Sequence, residues 1–247
     1  MIDEQYTATS RGGILYDASR LRKPGDELFE PEHWSARGAL QELSGGRGSV
    51  SILDAGVGRW VLRHYRRGGW IAKVSGDRYW WSGAARTRSF AEWRLLAELR
   101  KHDLPVPAPI AARYRRGLLT YSADLITEFL PPSRTLADSI TGAVLTQDQW
   151  RAVGKTIARF HARGVHHADL NAHNILLGAA VPFSVYLLDF DRGRIRARGP
   201  WENEVLQRLQ RSLNKIKAQR PDVGFNPGQE WRWLMEGYTK GFELPPP

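Results

Sequence analysis

The chain has 247 residues, 42% of them hydrophobic, with 36 Lys and Arg against 26 Asp and Glu, a net charge of +10 and no Cys. That length allows one large domain or two lobes, and the apolar fraction is too high for a mainly disordered chain. The missing Cys excludes a disulfide framework and thiolate chemistry, and the charge favours an anionic partner: nucleic acid, an acidic membrane surface or a phosphorylated substrate.

The amino-terminal MIDEQYTATSRGG has no apolar signal-peptide core. Short apolar or alternating runs at Ile14–Asp17, Ser49–Leu53 and Trp60–Tyr65, separated by Gly clusters, predict strands. Ser89 is then placed to cap a helix in which Phe90, Trp93, Leu96 and Leu99 share one face, stopped by Pro105, Pro107 and Pro109. Strands around Ala111–Tyr114 and Leu118–Glu128 follow, up to a break at Pro131-Pro132.

Beyond the break, Thr146 and Gln149 have capping-box spacing ahead of Trp150, Val153, Ile157 and Phe160 at helical period. Short apolar runs at Asn174–Leu177 and Val185–Phe190 predict strands, and helical patterns over Glu202–Ala218 and Glu230–Phe242 close the chain. The stretch Ile175–Phe190 is too short, and too interrupted by Gly178, Pro182 and Ser184, to span a bilayer. The protein is therefore expected to be soluble, or at most held at a membrane surface.

The chemistry concentrates in two segments, HHADLNAHNILL from His166 and YLLDFD from Tyr186. Phosphoryl transfer from ATP needs a carboxylate near the acceptor hydroxyl, oxygen ligands for Mg²⁺, a cation on the phosphates and a loop over them. Asp169, Asn174 and Asp189 supply the carboxylate and the hard oxygen ligands. A zinc site built from His161, His166, His167 and His173 is the rival reading, but the four lack regular ligand spacing. The alternative for His167 is to orient the loop from inside.

This pattern resembles the protein-kinase-like superfamily. His167-Ala168-Asp169-Leu170 with Asn174 is similar to its catalytic loop, with Ala168 where Arg is usual. Leu188-Asp189-Phe190-Asp191 is similar to its metal-binding motif, with Asp191 in place of Gly. The resemblance implies an α+β, bilobal protein-kinase-like fold: a nucleotide-binding β-rich lobe over 1–130, a mainly helical lobe over 131–247, and an ATP cleft between them. It also implies that Asp169 is catalytic, Asn174 and Asp189 hold Mg²⁺, and Arg63 pairs with Glu92 at the phosphates. Lys73 is a rival for Arg63, and an exposed helix carboxylate is the alternative for Glu92. Gly46 and Gly48 would belong to the phosphate-covering loop, or to a plain turn. Glu128 to Leu130 is the expected hinge, where backbone groups meet adenine.

Only about ten residues separate Asp191 from the next helical pattern, which leaves no room for a peptide-docking segment and argues for a non-peptide acceptor. The run Arg192, Arg194, Arg196 and Arg198, if extended, projects four cations from one face as an anion clamp. ILYD, LFEPEHW, VLRHYRRGGW, RSFAEWRLL, HADLNAHNILL and DFDRGRIR narrow the resemblance to the 3-deoxy-D-manno-octulosonic acid (Kdo) kinases of the lipopolysaccharide-kinase group. That implies ATP-dependent phosphorylation of the 4-hydroxyl of a Kdo residue on lipid A precursor, by a peripheral protein at the cytoplasmic face of the inner membrane. Trp80 and Trp81, near Arg78, Arg86 and Arg88, either enter a lipid headgroup layer or pack within the protein. Two competing readings are a small-molecule phosphotransferase of aminoglycoside or choline-kinase type, and a non-catalytic binder of acidic lipid. No nucleic-acid reading motif accompanies the charge, so no nucleic-acid partner is expected.

Overall fold

Alternating apolar patterning in the first part of the chain produces an antiparallel sheet rather than isolated hairpins. A computed structural model describes residues 2–43, 50–66, 77–130, 133–142, 144–179 and 183–243. The strands are β1 (Glu4–Thr9), β2 (Gly12–Asp17), β3 (Leu40–Leu43), β4 (Val50–Asp54), β5 (Arg59–His64), β6 (Tyr79–Trp80), β7 (Pro109–Arg116) and β8 (Thr120–Glu128). They run in the order β1-β2-β7-β8-β5-β4-β3, with β6 also paired to β8. Helices α1 (Pro31–Ser35) and α2 (Arg88–Lys101) complete this unit.

The two faces of β5 show how the sheet sorts its residues. Trp60 and Leu62 join Phe29, Trp34, Leu53 and Ile126 in a buried cluster, each large side chain contributing roughly 1.5–3 kcal/mol. The intervening Arg63 points to the other face, where α2 buries Phe90, Trp93, Leu96 and Leu99. Ser89 does not cap α2. The helix starts at Arg88, the Thr87 carbonyl accepts from Ala91 N–H at 2.9 Å, and the buried Ser89 hydroxyl donates to the Arg113 carbonyl at 2.9 Å. A charge that alternation alone does not place also lies inside. Arg113 is 1% exposed, and its guanidinium reaches Asp124 at 2.9 Å and Glu30 at 2.7 Å.

The second unit contains β9 (Ser133–Thr135), α3 (Leu136–Gly142), α4 (Gln147–Ala162), β10 (Val165–His166), β11 (Ile175–Gly178), β12 (Val185–Leu187), β13 (Arg194–Ile195), α5 (Trp201–Gln219) and α6 (Pro227–Glu243). The capping box forms as the spacing predicts: Thr146 Oγ1 accepts from Gln149 N–H, and Thr146 N–H donates to Gln149 Oε1. Helices α4 and α6 approach so closely that a Cβ at Gly154 would overlap the Leu234 carbonyl, and one at Gly237 the Arg151 carbonyl. Strands β9, β11 and β12 form one small sheet, and β10 pairs with β13.

The first unit comprises Met1–Lys101 and Pro107–Phe129, and the second His102–Val106 and Leu130–Pro247. The segment 102–106 thus groups with the helical unit rather than with residues 1–130. Its backbone explains why: the Pro105 carbonyl accepts from Leu187 N–H at 3.0 Å, and the Asp103 carbonyl from Arg159 at 2.8 Å. Among the described residues no helix is long and apolar enough to cross a membrane.

Candidate active site

In the sheet unit, β5 carries Arg63 and places Tyr65 two residues later on the same face. Both converge on Glu92 of α2: Arg63 Nη2 lies 2.6 Å from Glu92 Oε2, and the Tyr65 hydroxyl donates to the same oxygen at 2.5 Å. The Arg63 guanidinium also lies over the Tyr65 ring, 4.7 Å from its centroid. Glu92 is 3% exposed, so it is not a solvated helix carboxylate. Tyr65 was not singled out from sequence, although its position two after Arg63 on an alternating strand is the signal that finds it.

At the end of β8, Glu128 N–H donates to the Ala108 carbonyl and Phe129 N–H to that of Arg59. The Glu128 carboxylate lies 3.8 Å from Arg20. The N–H groups of residues 128 and 129 thus serve the sheet, and of the backbone groups expected to meet adenine their carbonyls and those of Leu130 remain. Leu130 is buried and belongs to the second unit. Gly46, Gly48 and Lys73 lie outside the described residues.

In the helical unit, the segment from His166 to Asn174 is fixed largely by its own polar atoms. The Asp169 carbonyl accepts from the Asn171 amide at 3.0 Å and from the Asn174 amide at 2.9 Å. The Leu188 N–H donates to the Asn174 carbonyl at 2.9 Å, at the end of the β11–β12 ladder. That bond brings Asn174 beside Asp189, whose φ of 60° is a left-handed conformation unusual for a non-Gly residue.

Buried His167 connects the two segments. Its Nε2 donates to the Leu188 carbonyl at 2.8 Å, and its Nδ1 accepts from Asp169 N–H at 3.2 Å. A carbonyl can only accept and a peptide N–H can only donate, so the ring is the neutral Nε2–H tautomer. Burial pushes its pKa down, in keeping with that form. Phe190 is fully buried against His167 and Phe160, with ring centroids 4.7 Å and 5.7 Å away. His161 donates to or accepts from the Tyr238 hydroxyl at 2.8 Å, and burial lowers its pKa to about 4.

The fit of Asn174 and Asp189 to Mg²⁺ rests on donor chemistry. With its amide nitrogen bonded to the Asp169 carbonyl, Asn174 turns its amide oxygen the other way, and Asp189 adds a carboxylate. Such hard oxygen ligands suit Mg²⁺, which takes one or two protein groups and fills its shell with phosphate and water.

The Arg-rich run is not one extended face. Only Arg194–Ile195 is strand, paired with Val165–His166, and Arg192 has a φ of 59° in the turn closed by Gly193 N–H to the Phe190 carbonyl. Arg198 is held by Glu202 through two bonds of 2.9 and 3.0 Å, and lies over the Phe242 ring. The charges of Arg194 and Arg196 reinforce burial in depressing the His166 pKa.

A feature not read from sequence lies on α5. The Arg208 guanidinium bonds Asp169 Oδ1, and Ser212 Oγ accepts from Ala172 N–H at 3.2 Å. Beside this contact is a cavity of about 350 Å³ lined by His166, Ala168, Glu204, Gln207, Arg208 and Arg211. The pattern of α5 predicts an apolar stripe of Val205, Leu206, Leu209, Leu213 and Ile216, of which the first four are buried and Ile216 is half-buried. Its polar face carries no mark that one of its cations meets Asp169.

The lipopolysaccharide kinase (Kdo/WaaP) family profile matches residues 31–238. A Stenotrophomonas maltophilia protein named 3-deoxy-D-manno-octulosonic acid kinase is 48% identical over 210 residues, covering 85% of this chain and 83% of its own. A protein of the same name from Xanthomonas euvesicatoria is 49% identical over the same span. The solved structure titled WaaP in complex with acyl carrier protein covers 91% of this chain and 88% of its own with a TM-score of 0.53; at 21% identity it establishes the shared fold. With its α+β architecture of an antiparallel sheet unit and a helical unit, the chain belongs to the lipopolysaccharide kinase (Kdo/WaaP) family.

Proposed function

We propose that this protein is an ATP-dependent sugar kinase that phosphorylates the 4-hydroxyl of a Kdo residue on a Kdo-bearing lipid A precursor, in lipopolysaccharide core biosynthesis. The observation that carries the reading is the convergence of Asp169, Asn174 and Asp189 through His167 and the Leu188–Asn174 bond, in a chain 48% identical to a Kdo kinase. Asp169 takes the hydroxyl proton as the hydroxyl oxygen bonds to the γ-phosphorus. The bond from that phosphorus to the β,γ-bridging oxygen breaks, and its electron pair leaves on ADP. Asn174 and Asp189 would hold Mg²⁺, which neutralises phosphate charge when bound. Arg63, oriented by Glu92, holds a phosphate as a planar bidentate donor, a task open to Arg as well as Lys. Gly46 and Gly48 are assigned to phosphate binding on their sequence alone, and Glu128 and Leu130 to the adenine site.

Arg192, Arg194 and Arg196 supply positive charge for an acidic acceptor, which an aminoglycoside-type substrate would not need. Attachment to the acidic cytoplasmic face of the inner membrane is supported by three exposed apolar side chains around the β6 strand and the β7–β8 turn. Trp80 is 70% exposed, Leu118 90% and Leu119 63%. Trp81 instead packs against Tyr114 and Tyr121 beneath Arg116, so the two adjacent tryptophans have different roles.

The test offers ATP and Mg²⁺ with Kdo-bearing lipid A precursor, an aminoglycoside or a generic protein. The expected result is one added phosphate on the precursor alone, assigned to the 4-position by NMR. Transfer to the aminoglycoside with none to the precursor would overturn the reading.

A further inference from the structure

We propose that Arg208 reads the carboxylate of the acceptor sugar and, by moving onto it, releases Asp169 to accept the hydroxyl proton; this rests on the kinase reading above. With the Arg208 guanidinium on Asp169 Oδ1, only Oδ2 is left open to an acceptor hydroxyl, and withdrawal of the guanidinium opens both oxygens. Arg208 Nη1 is bonded to Asp169 Oδ1, and among the described residues Asp169 is the only carboxylate it contacts. The two side chains are 50% and 55% exposed, and an exposed ion pair is weakly held and readily exchanged for another anion.

The surroundings supply a place for that anion. The adjoining cavity presents Arg208 and Arg211, one turn apart on the same helix face, against the single carboxylate of Glu204. His166, on the opposite wall, adds no countercharge. Burial and the charges of Arg194 and Arg196 hold it toward the neutral form, and its Nδ1 is buried without a hydrogen-bond partner among the described residues. The helix is held against the loop by Ser212 and the Ala172 N–H, so Arg208 changes partner by side-chain rotation alone.

Distance selects the kind of anion. A guanidinium that reaches Asp169 lies within a sugar ring's width of the reacting hydroxyl, so the group it reads sits on the same ring. Kdo is an acid and carries its carboxylate there, whereas the phosphates of lipid A belong to other sugars. A fork-shaped guanidinium binds a carboxylate through two parallel bonds, which Asp169 Oδ1 alone does not offer. The site then favours acidic sugars twice: the carboxylate is bound, and its binding frees the base.

The test compares wild type with Arg208→Gln on three acceptors: the intact precursor, one with the Kdo carboxylate reduced to an alcohol, and one with the lipid A phosphates removed. On the intact acceptor, Arg208→Gln should raise acceptor KM at least tenfold with ATP KM unchanged, and acceptor-independent ATP hydrolysis should rise several-fold. The carboxyl-reduced acceptor should show the same loss with wild type, and no further loss with Arg208→Gln. This arm uses unaltered protein, so it holds even if the variant folds poorly. Removing the phosphates should leave the Arg208→Gln penalty intact; a penalty abolished by that removal assigns the anion to phosphate and overturns the carboxylate. Lower kcat at unchanged acceptor KM makes Arg208 a prop for Asp169 and also overturns the proposal. Wild type that modifies the intact and carboxyl-reduced acceptors equally overturns this inference alone, and wild type that modifies neither overturns the kinase reading with it.

Discussion

Two arginine–carboxylate pairs, one in each unit, carry the proposed chemistry, and they are built in opposite ways. Arg63 and Glu92 meet with Glu92 buried, Tyr65 on the same carboxylate oxygen and the guanidinium stacked on the Tyr65 ring. Arg208 and Asp169 meet at the surface, each about half exposed. A buried pair with further hydrogen bonds is fixed, because separating it strands a charge in a medium that solvates it poorly. An exposed pair gives up little when it parts. The first arrangement suits a cation that must stay in place beneath phosphates, and the second suits a base that must be released.

The largest effect should come from the exposed pair, although it contributes least to stability. Asp169→Ala should reduce phosphate transfer by about 10²–10⁴-fold, with ATP binding by calorimetry unchanged and the melting temperature close to wild type. Full turnover by a folded Asp169→Ala protein would remove Asp169 from the mechanism. In the buried pair the balance should reverse. Arg63→Ala leaves buried Glu92 without the Arg63 countercharge and should cost about 2 kcal/mol of unfolding free energy, below the roughly 3–5 kcal/mol of a fully buried pair because Arg63 is one-quarter exposed. Arg208→Ala should change stability by about 0.5 kcal/mol or less. Equal losses in urea titration would mean the two pairs do not differ as their burial indicates.

The difference between the pairs also separates what the chain displays locally from what only folding assembles. Asp169, Asn174 and Asp189 are legible because each lies in a short segment whose spacing is the geometry. Arg63 and Glu92 are legible at one remove, since strand alternation and helical period give each a face. Arg208 is not legible: a cation on the polar side of an amphipathic helix looks like solvated charge until the helix meets the loop. The buried Arg113 escapes for the same reason, as a charge within β7 that pairs with Asp124 across the ladder. The Arg-rich run misleads in the other direction. Read as one extended face, it is broken by the turn at Arg192 and by the capture of Arg198. Short elements such as α1, β9 and α3 carry too little period to be read.

A third effect concerns the packing behind the loop. His161 is 1% exposed with a pKa near 4, below the ordinary 6.5, so the folded state binds fewer protons than the unfolded one between those values. Stability therefore falls as pH drops through that window, by about 2 kcal/mol from pH 7 to pH 5. His167, depressed in the same direction by burial, adds a slope of the same sign. Urea midpoints should decline toward pH 5, and His161→Phe, which keeps an aromatic ring against Trp201 and Tyr238, should flatten much of that decline. An unchanged slope in His161→Phe would place the proton uptake elsewhere.

The smallest effect belongs to a third pair, Arg198 with Glu202, and it separates the arginines of the run. Arg198 is tied by two bonds to a carboxylate four residues later on α5 and covers Phe242. Those contacts hold the entry to α5 and leave it little part in binding an acceptor. Arg198→Ala should cost about 0.5–1 kcal/mol of stability, as an exposed bidentate pair with ring contact does, and leave acceptor KM within twofold of wild type. Arg194→Ala and Arg196→Ala, whose charges act on His166 and which form no ion pair among the described residues, should raise acceptor KM several-fold without changing ATP KM. If Arg198→Ala raises acceptor KM as much as they do, the run acts as one clamp despite its broken backbone, and pairing with Glu202 does not withdraw a guanidinium from substrate.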